Sequence, residues 1–168
     1  MSYPKACCST PTIVSYYKPT GSTLNISSIP VYSVGPAIVP DVESVEKQLR
    51  AKGVIAATCA GFFWGAKVAV QLTSTVPFFV GACMIHPSAI DPKYAEAAGA
   101  PIYYISSKDE PKMRESMSIL QKKSMGDCCH LIAFGDMNHG FSAARGDFND
   151  EQSTKRANKA IQITIDIL

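Results

Sequence analysis

No long apolar run occurs in this 168-residue chain. None approaches the roughly 20 residues that a helix needs to cross a bilayer, so the sequence offers no membrane partner. There is no block of like charge either. Sixteen Lys and Arg face 14 Asp and Glu, and the basic residues are scattered rather than gathered into a stripe. A net charge of +2 spread in this way speaks against nucleic acid. The N-terminus, MSYPKACCSTPTIV, lacks the charged and apolar regions of a secretory signal, so the expected compartment is the cytoplasm. Internal repeats and low-complexity tracts are absent. Six cysteines are present but none forms a CxxC knuckle: Cys7–Cys8 and Cys128–Cys129 are adjacent pairs, and Cys59 and Cys83 stand alone. The three histidines are not spaced to complete a zinc site. No metal and no organic cofactor is therefore expected. Cys59, Cys83 and Cys128–Cys129 lie in apolar runs and are expected to be reduced, buried, small hydrophobes.

What is present suits a globular chain with one sizeable core: 46% of residues are apolar and 18% charged. Residues 37–168 alternate helix and strand. DVESVEKQLRAKG reads as a helix capped by Asp41 and stopped at Gly53, with Val42, Val45 and Leu49 on one face. GVIAATCAG is a continuous apolar run, as expected of a strand buried on both faces. WGAKVAVQLTS is a helix, FFVGACMI a second buried strand, DPKYAEAAG a short helix and APIYYIS a third strand. PKMRESMSILQKKS is a helix with Pro111 in its first turn. CCHLIAF is the fourth strand, and a helix over 151–168 should bury Ala157, Ala160, Ile161 and Ile165. This alternation predicts βαβ units: an α/β fold with a mainly parallel sheet of about four strands and helices on both faces. Residues 1–36 differ. ACCSTPTIVSYYKPTG reads as an extended arm, and STLNISSIPVYSV as a hairpin. The expected organisation is an arm and hairpin over 1–36 and a core over 37–168, together one compact domain.

Ligand sites of parallel sheets lie at the carboxyl ends of the strands. The polar residues there are the turn at 61–65, His86-Pro87-Ser88, Lys108-Asp109-Glu110 and His139-Gly140. Gly61-x-Phe63-x-Gly65 has the spacing of a nucleophile elbow, the sharp strand-to-helix turn that presents a catalytic Ser or Cys. Asp109 follows one strand and His139 the last, so position 63, Asp109 and His139 stand in the chain order of nucleophile, acid and base. The residue at the elbow is Phe63. A phenyl ring has no proton to lose and no lone pair with which to attack.

GFFWGAK resembles the GFCWGGK elbow of the dienelactone hydrolase family, whose nucleophile is a cysteine. HGFSAARGDF resembles that family's HGFxxRGD loop, HPS resembles a further family loop, and KACCSTPTIV followed by YKPTG resembles the start of fungal members. The resemblance implies an α/β-hydrolase fold and a hydrolase of lactones or carboxylic esters working through a Cys-His-Asp triad. By position it implies His139 as base, Asp109 as acid and the N–H of Trp64 as one oxyanion donor. Phe62, Trp64 and His86 are its candidate pocket residues, although Phe62 also reads as ordinary core.

Three departures accompany the resemblance. Phe63 stands where the family has its cysteine, and Ala66 replaces the second Gly of the family's GG. Further, the family's two sheet strands, helices and loop between the hairpin and the helix before the elbow strand are not recognisable. The loop normally carries the second oxyanion donor. The elbow strand is then expected to have an open edge, which favours a homo-oligomer. Three readings follow: a hydrolase with a substitute nucleophile, a non-catalytic descendant that binds a small molecule or a protein, and a shortened form without activity. Cys59 and Cys83, as thiols in strands, are poor substitutes. The expectation is a hydrolase-family chain impaired at position 63.

Overall fold

The computed structural model describes residues 39–88, 90–110 and 113–167. The chain divides into two units, Met1–Ile55 and Ala56–Leu168. The arm and hairpin expected over 1–36, and Pro111 in its helix, lie outside the described residues.

In the first unit, helix α1 spans Val39–Ala51. It begins two residues before the expected cap, so Asp41 lies inside its first turn, where a carboxylate suits the helix dipole. Val42, Val45 and Leu49 share the half-buried face, as the spacing predicts. The helix ends as expected at Gly53, whose φ is +85°. The Gly53 N–H donates to the Arg50 carbonyl and the Val54 N–H to the Leu49 carbonyl, at 2.9 and 3.1 Å. These two bonds make a Schellman cap, which requires a left-handed residue at this point.

The second unit is a four-stranded sheet in the order β1 (Ala57–Phe62), β2 (Phe79–Ile85), β3 (Ile102–Ser107), β4 (His130–Phe134), with all neighbours parallel. Helices α2 (Trp64–Thr75), α3 (Pro92–Ala97) and α4 (Met113–Leu120) connect successive strands, and α5 (Glu151–Ile167) follows β4. The period-2 alternation of β2 and β3 sorts the core into two layers. Ala82, Met84, Ile102 and Tyr104 pack with Ala66, Ala69 and Val70 of α2 and with Met113, Met117 and Leu120 of α4. Cys83, Ile85 and Ile105 point the other way, toward Ala160 of α5 and Phe134, Met137 and Phe141. Three crossover helices thus cover one face and α5 the other.

Three expectations are corrected. The strand starts at Ala57, not Gly53, because the first backbone bond to the sheet is from the Ala57 N–H to the Phe78 carbonyl, at 2.9 Å. Ile55 before it is 87% exposed. Nor is β1 buried on both faces: only Gly61 is buried and Ala60 is exposed, because among the described residues β1 is an edge strand. In α5 the buried residues are Ala157, Ala160 and Thr164, while Ile165 is 49% exposed. The helix turns toward the sheet on its small residues, which let it approach closely.

Among the described residues no helix is long and apolar enough to cross a membrane.

Candidate active site

The chain leaves β1 through Phe62 and enters α2 at Trp64, and Phe63 is the single residue between them. Its φ of 52° and ψ of −118° mark the sharp turn that the spacing predicts. A Cβ on Gly61 would stand 2.1 Å from the Gly65 carbonyl oxygen, so this position must be glycine for the backbone to turn so tightly. Gly65 is different: a Cβ there would meet nothing within 4 Å. The elbow's demand for glycine thus falls on Gly61 alone.

The Phe63 ring lies edge-on to two imidazoles, with centroid separations of 4.5 Å to His86 and 5.0 Å to His139. His86 is the residue after β2, and its backbone N–H donates to the Ile105 carbonyl at 2.7 Å. Its side chain is fully buried, with Phe62 and Phe141 as further ring neighbours. Neither ring nitrogen has a partner on another described residue. Burial, and then the nearby His139, push its pKa down to about 3, so it is a neutral imidazole. Phe62 packs against the layer under α5, in agreement with its reading as core. Trp64 is half-buried at the start of α2.

His139 is held at both ring nitrogens. Its Nδ1 lies 2.5 Å from Glu110 Oε1, and its Nε2 lies 3.1 Å from Ser88 Oγ. A carboxylate can only accept, so the ring proton sits on Nδ1 when Glu110 is ionised, and Nε2 is left to accept from the Ser88 hydroxyl. Asp109 does not touch the ring. Its Oδ2 accepts from the His139 backbone N–H at 2.8 Å. The structure therefore brings position 63, His139 and Asp109 to one place, but puts the neighbouring Glu110 against the imidazole. Glu110 is fixed in turn by Ser107 at the end of β3. The Ser107 hydroxyl donates to Oε1 at 3.0 Å, and the Ser107 backbone N–H donates to Oε2. Ser88 is fixed by its own N–H, which donates to the Phe63 carbonyl at 3.2 Å.

The four described cysteines lie outside this cluster. Cys59 is half-buried, and burial, with Cys83 nearby, pushes its pKa up to about 12. Cys83 is buried and also raised by burial. Cys129 is buried, but Cys128 is exposed, because it lies in a 3-10 turn before β4 rather than in the strand. A groove of about 760 Å³ opens at the amino ends of β3 and β4, between Arg114 of α4 and Ile163 of α5, at the opposite end of the strands from His139. Among the described residues no group of three His, Cys, Asp or Glu side chains is placed to hold a metal.

Residues 35–168 match the dienelactone hydrolase family. The chain belongs to that family. Two uncharacterized AIM2 family proteins of Schizosaccharomyces pombe are similar to it. One is 34% identical over 104 residues, covering 61% of this chain and 41% of its own. The other is 30% identical over 132 residues, covering 75% of this chain and 49% of its own. The chain thus spans less than half the length of these curated relatives. The crystal structure of a putative dienelactone hydrolase from Klebsiella pneumoniae superposes with a TM-score of 0.59 at 13% identity, over 77% of this chain and 59% of that one. That likeness supports the α/β-hydrolase-like fold.

Sequence reasoning placed Ser88 and Glu110 at strand ends but gave neither a role. The available signal was position: each lies beside a residue already singled out, Glu110 next to Asp109 and Ser88 two residues after His86.

Proposed function

We propose that this chain is a dienelactone-hydrolase-family protein, directed by descent at small lactones or carboxylic esters, in which the family's cysteine chemistry is lost. The observation that carries the reading is Phe63. It holds the elbow conformation, and its ring occupies the space beside His139 into which a shorter nucleophilic side chain would project. A phenyl group cannot form the acyl intermediate that a cysteine forms. The thiols on the neighbouring strands do not replace it. Cys59 and Cys83 are on β1 and β2, and their raised pKa values keep them as unreactive thiols. Imidazole and carboxylates are retained, so the base side of the machinery persists without its original partner.

The test is steady-state hydrolysis of a dienelactone and of an aryl ester by the full chain. Enzymes typically reach kcat/KM of about 10⁴–10⁸ M⁻¹s⁻¹. The expected value lies at least a hundredfold below the bottom of that range. A value within it that treatment of the native chain with iodoacetamide abolishes overturns the reading, because a cysteine would then carry the chemistry.

A further inference from the structure

The loss of the elbow cysteine leaves one array unexplained. Ser88 Oγ, the His139 imidazole and the Glu110 carboxyl form a continuous chain of hydrogen bonds at 3.1 and 2.5 Å. An activated nucleophile has this signature: hydroxyl and base about 2.6–3.2 Å apart, with the base oriented by a third group. Each member is also held by a bond outside the chain. The Phe63 carbonyl fixes the Ser88 backbone, Asp109 fixes the His139 backbone, and Ser107 fixes Glu110. Each of the three therefore gives up little further freedom when it reacts. Ser88 itself is 8% exposed, while the imidazole keeps 19% of its side chain exposed, so the array meets solvent at the base. The Ser88 amide bond to the Phe63 carbonyl sets the serine directly beside the elbow, at the carboxyl ends of the strands where ligands of parallel sheets bind.

We propose that Ser88 is a replacement nucleophile for acyl and phosphonyl transfer, with His139 as its base and Glu110 as the positioning residue of the imidazole. This rests on the reading that position 63 no longer supplies a nucleophile. With an ester, the Ser88 oxygen forms a bond to the carbonyl carbon and its proton passes to His139 Nε2. The bond from that carbon to the leaving oxygen then breaks, and the imidazolium returns the proton to the departing alkoxide. Water completes the cycle by the reverse route: Nε2 takes its proton as the water oxygen bonds to the acyl carbon, the acyl–serine bond breaks to release the carboxylic acid, and the proton goes back to Ser88. With a fluorophosphonate the first step ends the sequence. An oxygen–phosphorus bond forms, the phosphorus–fluorine bond breaks, and the serine proton leaves with fluoride.

A fluorophosphonate probe applied to the full chain tests this, read by intact mass and peptide mapping. The expected result is one adduct per chain, mapped to Ser88. Its rate of formation should rise with pH as a single group deprotonates and fall at least tenfold in both His139→Ala and Glu110→Gln. Mapping the wild-type adduct needs no variant, so a variant that fails to fold does not decide the matter. An unlabelled chain, an adduct on another residue, or labelling at Ser88 that His139→Ala leaves unchanged overturns the proposal. These failures leave the loss of cysteine chemistry standing. That reading falls only to efficient turnover that thiol alkylation abolishes, so the two are judged separately.

Discussion

Phe63 combines two burdens that a residue seldom carries together. Its φ of 52° is costly for a side chain with a Cβ, of order 1–3 kcal/mol, and its ring must also fit against two imidazoles. The turn persists because Gly61 lets β1 approach the start of α2. Gly61→Ala is therefore expected to destabilise by about 3 kcal/mol, the upper part of the usual overpacking range. Gly65→Ala should be neutral or stabilise by up to about 1 kcal/mol, because it meets no neighbour and restricts the unfolded chain. Denaturant melts of the two variants check this contrast. At this scale the elbow and His139 were legible from residue type and spacing. The partner of the imidazole was not. Asp109 and Glu110 are neighbours in the turn after β3, and which carboxyl reaches Nδ1 depends on a turn of one residue that spacing cannot resolve.

The elements were legible in kind and order because each strand is a short apolar run and each helix has an apolar stripe. The departures come from tertiary context. GVIAAT is apolar enough to be a central strand, yet β1 is an edge among the described residues and begins only at Ala57. Apolarity alone does not tell a strand with two neighbours from one with a single neighbour. In α5 the stripe of Ala157, Ala160 and Thr164 faces the sheet, and the larger Ile165 points away. Ala160 is nearly inaccessible beneath Phe134 and Phe141, so Ala160→Leu is expected to cost about 1–3 kcal/mol by overpacking. Ile165→Gln should change stability by less than about 0.5 kcal/mol, as exposed substitutions do. Equilibrium unfolding of the two variants distinguishes this orientation from the one in which Ile165 is core.

Across the molecule, His86 links the site to stability. Its folded pKa of about 3 lies below the ordinary 6.5, because burial disfavours the charged ring. The unfolded chain therefore takes up a proton at this residue before the folded one does. Its contribution to stability is fully present above about pH 6.5 and is lost as the pH falls from there toward 3, by up to about 1.4 kcal/mol per pH unit. His86→Phe removes this titration from a site already lined by Phe62, Phe63 and Phe141. The variant should show a shallower loss of stability between pH 6 and 4 than the wild type, measured by urea unfolding across that range. An unchanged slope would place the imidazole in contact with solvent.

The family is plain in the match over residues 35–168 and in the sheet, and the departure that bears most on chemistry is the proposed one at Phe63. Ester hydrolysis by the full chain, followed before and after treatment of the native chain with iodoacetamide, which alkylates any thiol reactive enough to act as the nucleophile, addresses that departure most directly. The expected result is a slow rate that alkylation leaves unchanged within twofold if, as proposed, Phe63 holds the place of the family's nucleophile. A fast rate that alkylation abolishes would contradict it, for a cysteine would then be performing the chemistry that Phe63 cannot.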